Sequence, residues 1–469
     1  MLTRRMLDLI LPTQVWPIGL LLACLVLEAA VLHFGIDDLD EGYFVQQGTR
    51  VLHGQVPYRD FVTLYTPGLA YLHASVFALA GGPSIVAARD IALGARGGLA
   101  LMLFVLARPF VRPPGWAVLP GLLLLLGLDD APVRWEPHPG WLSTLFALIA
   151  VWCLSHRPST GWLLAAGAAA GLTYAFKQNT GVFILAAIAV WCAWRDRWRT
   201  WLPLAAFVGV TLVWLIPLLV AIDFQIGLLG VLIGAVNGAS LFAPPEPTIL
   251  IPLAAIVAGV WLVRRDSAPV LRWYLLAGLA LFATEFPRMD TLHLAWSAPM
   301  LLVVGAIALS RVAWPYAAVS VASAMALLTA TWTGRLHYMD QPLAPVADVE
   351  APTQTATEMS SLVADIQERT QPGEPIFVYP TSPLVYVLAQ RPNPTQFDHL
   401  MPGSARPTQL DQVIRDIQRA GTRVVVISDF WESQWGPPGD NAVLEDWLSA
   451  HYTETARDGA YRVLVEDSL

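Results

Sequence analysis

Residues 36–68, IDDLDEGYFVQQGTRVLHGQVPYRDFVTLYTPG, hold the densest group of residues able to do chemistry in this chain. Asp37, Asp38, Asp40 and Glu41 come first, and Tyr43, Arg50, His53, Tyr58, Arg59, Asp60 and Tyr65 follow. A carboxylate in such a segment can take the proton of an acceptor hydroxyl as that oxygen attacks an electrophilic carbon. A nearby cation, either Arg, Lys or a metal, can neutralise an anionic leaving group such as phosphate. Asp40 and Glu41 are neighbours and cannot share a helix face as an i,i+4 pair does. One can face a cavity while the other caps or braces the segment. Three further polar sets are candidates for the same cleft: Glu136 and His138 in WEPHPG, Lys177 and Gln178 with Asn179 in KQN, and Arg288, Asp290 and His293 in PRMDTLHL. Carboxylate oxygens and imidazole suit several divalent ions, so Asp40, Glu136 and His138 form a candidate metal set. Against that stands a His138 that only hydrogen-bonds at a helix end. Lys177 can equally snorkel to a membrane surface.

The elements that must position these groups are membrane helices. The chain of 469 residues is 55% hydrophobic and only 14% charged, too apolar for an ordinary soluble protein. No basic block points to nucleic acid. Cys24, Cys153 and Cys192 all lie inside apolar runs, so no disulfide framework is expected. Apolar runs recur to about residue 331, and basic residues cluster at the turns 108–112, 194–199 and 264–272. The resulting fold class is a mainly α-helical polytopic membrane protein with about eleven spans and a cytoplasmic N-terminus. Within it, 42–54 reads as a short amphipathic helix, and 69–80 as an interfacial helix or part of a tilted span. The run 161–193 reads as a helical hairpin with KQN at its outer tip. A half-helix is expected at 226–236, and the segment TEFPRMDTLHL as an outer loop. All four polar sets then fall at outer helix ends.

Composition changes near Gly334. Two domains are expected, a transmembrane catalytic domain over 1–333 and a soluble α/β domain over 334–469, joined by a Pro-rich linker at 341–352. In the second, 374–380, 422–430 and 461–467 read as strands and 408–421 as a helix stopped by glycine.

The pattern DE-G-Y in a first outer loop, followed by YRDFVTLYTPG, resembles the polytopic GT-C glycosyltransferases. It is most similar to bacterial members of the protein mannosyltransferase and lipid A aminoarabinose transferase superfamily. KQNTG and PRMDTLHLAW carry a more modest part of the likeness, which covers roughly residues 15–332. The resemblance implies a GT-C fold in the bacterial cytoplasmic membrane, with residues 334–469 extracytoplasmic. It implies inverting transfer of a sugar from a polyprenyl-phosphate donor to a lipid, glycan or protein acceptor, with no organic cofactor. The catalytic acid position of the first outer loop falls on Asp40, with Glu41 beside it, and a second acidic position on Glu136. Arg59, Tyr65, Lys177, Gln178, Arg288, Asp290 and His293 are then the donor-phosphate or substrate candidates. Two other classes compete: a membrane transporter, which should carry ionisable residues midway along its helices, and a non-catalytic cell-envelope polymer assembly protein.

Overall fold

The computed structural model describes residues 17–112, 115–126, 137–156, 159–195, 197–221, 246–285, 290–312, 322, 326, 329–330, 332–400, 405–429 and 441–467. The expected half-helix at 226–236, Glu136 and Arg288 lie outside these residues.

The N-terminal part is helical. Its elements are α1 (Pro17–Ala30), α2 (Asp40–Leu52), α3 (Gly68–Ala80), α4 (Ile85–Ala107), α5 (Gly115–Leu126), α6 (Pro139–Ser155) and α7 (Thr160–Phe176). They continue with α8 (Gln178–Arg195), α9 (Trp201–Ala221), α10 (Leu250–Arg265), α11 (Pro269–Phe282), α12 (Thr291–Ser297) and α13 (Pro299–Leu309), and a helical stretch at 332–339 is α14. Side-chain caps set several starts: Ser84 accepts from the Ala87 amide and Ser159 from the Trp162 amide. One apolar core, with Leu99, Leu103, Leu148, Ile188, Trp273 and Met300 among its members, runs through the bundle.

Among the described residues, three helical stretches are long and apolar enough to cross a membrane: Ile85–Phe110, Arg197–Val220 and Pro247–Arg265. The pair α12 and α13, bent by 76°, makes a fourth if counted as one broken span. The other apolar helices are shorter than the expected spans. A 13-residue helix such as α3 reaches only about 20 Å, against a hydrocarbon core of about 30 Å. α3 packs His73 and Phe77 beneath α2, where Gly48 leaves room for both.

The C-terminal part is an α/β unit. A hairpin of β1 (Leu343–Val346) and β2 (Val349–Pro352) leads into α15 (Thr353–Arg369). Then come β3 (Ile376–Tyr379), α16 (Leu384–Ala389), α17 (Pro407–Ala420), β4 (Val424–Ser428), α18 (Ala442–His451), β5 (Tyr452–Asp458) and β6 (Tyr461–Glu466). The four-stranded sheet has the order β3-β4-β6-β5, with β3 and β4 parallel and the other pairs antiparallel. The expected linker at 341–352 is therefore ordered structure. Its prolines are tolerated because each strand of a two-stranded ribbon has an edge that needs no ladder donor, and Val346 and Ala351 are buried against α15 and the sheet.

Candidate active site

Every described site candidate except Arg59 and Tyr65 sits at a helix end or inside a helix's first turn, where backbone groups have no intrahelical partner. Asp40 opens α2, His138 is the N-cap of α6, Lys177 occupies the one-residue break between α7 and α8, Gln178 opens α8, and Asp290 is the N-cap of α12. Asp40 and Glu41 lie in the first turn of α2, at the positive end of its dipole. Asp37 completes that start: its Oδ1 accepts from the amides of Leu39 at 3.0 Å and Asp40 at 3.3 Å.

The adjacent acids have separate surroundings. Glu41 is fully buried and held by Arg89, with Nε–Oε1 at 2.6 Å and Nη2–Oε2 at 2.7 Å. Burial pushes the Glu41 carboxyl up, and the Arg89 guanidinium pulls it back. Arg89 also donates to the carbonyls of Leu32, Phe34 and Gly35, so a single side chain fixes the chain entering α2. Asp40 remains partly exposed. It lies one helical turn before Phe44, on the same face, and the Phe44 ring packs on Tyr65 and His138 at 5.6 and 5.4 Å between centroids. Asp40 thus shares a helix face with Phe44, which packs on the aromatic cluster, while Glu41 braces α2 from a different face.

That cluster is centred on Trp296, which is 2% exposed. His138 stacks on its indole at 4.0 Å and 9°, His293 meets it edge-on at 5.2 Å, and the Lys177 ammonium lies 4.9 Å over it. His138 Nδ1 accepts from the Gly140 amide at 2.8 Å, which places the ring proton on Nε2, 3.0 Å from the Tyr65 hydroxyl oxygen. A Cβ on Gly140 would come within 2.7 Å of the Trp296 ring and 2.6 Å of His138 Nδ1, so glycine is what lets the stack form. Asp290 Oδ1 accepts from the His293 amide at 2.9 Å and pairs with His293 Nδ1 at 2.7 Å, capping α12 and aiming the imidazole together. Glu246 supports the same turn by accepting from the Thr291 amide and hydroxyl. Gln178 donates to the Leu64 carbonyl at 2.9 Å and ties the segment before Tyr65 to α8.

The structure thus gathers Tyr65, His138, Lys177, Asp290 and His293 around one tryptophan, with Gln178 beside them. Lys177 is 6% exposed and does not snorkel. Arg59 is not gathered: it is exposed and makes a two-pronged pair with its neighbour Asp60. The expected loop TEFPRMDTLHL also differs, because TLHLAWS is helix α12, stopped where Pro299 lacks an amide to continue the ladder. Among the described residues, no three His, Cys, Asp or Glu side chains are grouped to hold a metal ion, and both His138 ring nitrogens already have partners.

Sequence reasoning missed Trp296. The signal was its place in TLHLAW, three residues after His293 and six after Asp290. Its indole Nε1 is buried without a hydrogen-bond partner, as is Gln178 Oε1. An orphaned donor beside a buried ammonium suits an anionic oxygen.

The sequence matches no protein-family model, and no curated protein matches it. Solved structures do. ArnT from Cupriavidus metallidurans bound to undecaprenyl phosphate superimposes with a TM-score of 0.63 and 13% identity, over 97% of this chain and 98% of that one. ArnT from the same organism in the apo state gives 0.64 and 15%, over 95% and 97%. The archaeal oligosaccharyltransferase AglB from Archaeoglobus fulgidus, in complex with an inhibitory peptide and a dolichol-phosphate, gives 0.55 and 12%, over 97% of this chain and 74% of that one. At these identities the likeness is one of fold, and across nearly its whole length this membrane protein has the GT-C fold.

Proposed function

We propose that the protein is an inverting glycosyltransferase, moving a sugar from a polyprenyl-phosphate donor to a hydroxyl of a lipid, glycan or protein acceptor. In this reading it works at the outer face of a bacterial cytoplasmic membrane, with its N-terminus cytoplasmic and residues 334–469 extracytoplasmic. The observation that carries the reading is the gathering of Tyr65, His138, Lys177 and His293 on Trp296, beside the face of α2 that bears Asp40. The lipid phosphates named with ArnT and AglB support the donor class.

The acceptor O–H gives its proton to the Asp40 carboxylate as its oxygen bonds to the sugar's anomeric carbon. The carbon–oxygen bond to phosphate breaks on the opposite face, and the electron pair leaves with the lipid phosphate. The Lys177 ammonium and the Trp296 N–H meet the charge that develops there. Both are buried, so their interaction with that charge is little screened by water. Tyr65, held by His138, and His293, held by Asp290, orient the sugar. No organic cofactor enters this reaction. A transporter would draw on the buried Glu28, whose carboxylate pairs with Arg96 at 2.9 Å and Arg335 at 2.5 Å. That group ties α1, α4 and α14 together, which favours a structural role.

Lys177→Met tests the donor site. A lost charge-assisted hydrogen bond of about 1.5–3 kcal/mol corresponds to undecaprenyl phosphate binding weakened by about tenfold or more. Native mass spectrometry titration of the purified variant reads this directly. Unchanged affinity would remove Lys177 from the phosphate site.

A further inference from the structure

We infer that Asp38, Ser382 and Tyr461 form a clamp through which the C-terminal α/β unit positions α2, and with it Asp40, for catalysis. The inference rests on the transferase reading above and gives the C-terminal unit a role in the reaction.

The contacts are polar, part-buried and distant in sequence. Asp38 Oδ2 accepts from the Ser382 hydroxyl at 2.7 Å and from the Tyr461 hydroxyl in a short hydrogen bond. The Asp38 carbonyl accepts from the Leu384 amide at 3.4 Å. Two residues past Asp40, the backbones of α2 and α16 touch, since a Cβ on Gly42 would lie 2.6 Å from the Leu384 nitrogen. The next residue, Tyr43, stacks on His399 at 4.3 Å and 24°. Burial pushes the His399 imidazole down to about 3, so the stacked ring is neutral. At the far end of α2, Arg50 pairs with the buried Asp398 at 2.8 Å and donates to the Thr395 carbonyl at 2.8 Å. Both ends of the helix that opens with Asp40 are therefore fastened to the C-terminal unit.

Simple attachment of one unit to another needs only apolar burial. Buried ionic and hydrogen-bonded groups add little net stability but specify one geometry, and here that geometry is the placement of Asp40. Ser382 holds a φ of 128°, a conformation that side-chain-bearing residues rarely adopt. Its hydroxyl is the one that meets Asp38, so the strained backbone is spent at the contact itself. Ser382, Tyr461 and Asp38 are positioning residues, acting through α2 and touching no substrate.

The test uses the full-length protein with a polyprenyl-phosphate sugar as donor, comparing Tyr461→Phe, Ser382→Ala and the pair. Misplacing a general base by a fraction of an ångström to an ångström costs about tenfold or more in rate. The double variant should lose that much kcat while the donor KM and undecaprenyl phosphate affinity stay at wild-type values. Amide exchange should quicken in α2 and stay slow in β4. Placed on an Asp40→Asn background, the double substitution should cause no further loss. Wild-type kcat in the double variant, with Asp40→Asn inactive, overturns the clamp and leaves the transferase reading standing. Unchanged exchange in α2, or lost protection in β4 along with activity, also overturns it. A fully active Asp40→Asn removes the catalytic role of Asp40, and the clamp with it, while no transfer by the wild type removes the transferase reading itself.

Discussion

Asp40→Asn is expected to lower sugar transfer by about two powers of ten or more, the usual contribution of a general base. The folded, membrane-inserted protein should be unchanged. Asparagine keeps the shape of the side chain, and the cap at the start of α2 belongs to the Asp37 carboxylate. The amide can no longer take the acceptor proton. Glu41→Gln should be milder, because a glutamine oxygen can still accept from Arg89 and brace α2. The assay is transfer from a supplied polyprenyl-phosphate sugar at matched protein amounts. Near-normal turnover of the Asp40 variant would sink its catalytic role, and abolished turnover only in Glu41→Gln would move the chemistry one residue along.

Arg89→Met is expected to be the most destabilising single change in the structure. It would leave the fully buried Glu41 carboxylate without its cation and strip the carbonyls of Leu32 and Gly35 of a donor. Breaking a buried pair from one side costs about 3–5 kcal/mol, far more than the intact pair contributes net. Thermal unfolding of the detergent-solubilised protein should show a midpoint lowered by several degrees. Replacing both partners, as Glu41→Gln with Arg89→Met, should recover part of the loss, because no unpaired charge remains buried. A single variant that melts with the wild type would mean that the pair does not hold α2.

The helical hairpin with KQN at its tip was legible because two apolar runs of helical length flank one polar break. The helix over 42–54 was legible from its amphipathic period, although α2 begins earlier, at Asp40. α15 could have been read as well, since Ala356, Met359, Leu362 and Ile366 recur at helical spacing and are all buried. The expected linker stopped at residue 352, and no element was assigned between it and the strand at 374–380. Span lengths were less legible: apolar composition continues across the bend before Pro299, so a broken pair of helices reads as one span. At the site, residue types pointed to the cluster, but its centre did not show. Tryptophan is common at membrane edges, so Trp296, one of the chain's 19 tryptophans, was passed over despite its place three residues after His293. The fastening of Asp38 to Tyr461 spans 423 residues, and no local pattern encodes it. Arg59 stands apart from the cluster: its type fits a phosphate, and in the structure it pairs with the adjacent Asp60.

The most direct test of the central claim is turnover by the purified wild-type protein in liposomes loaded with polyprenyl-phosphate sugars. The account predicts transfer to an added acceptor, release of polyprenyl phosphate in equal amount, and a product whose anomeric configuration is inverted relative to the donor. Retained configuration would contradict direct displacement by the acceptor oxygen. No transfer from any donor, with uptake of a solute across the bilayer in its place, would contradict the account as a whole.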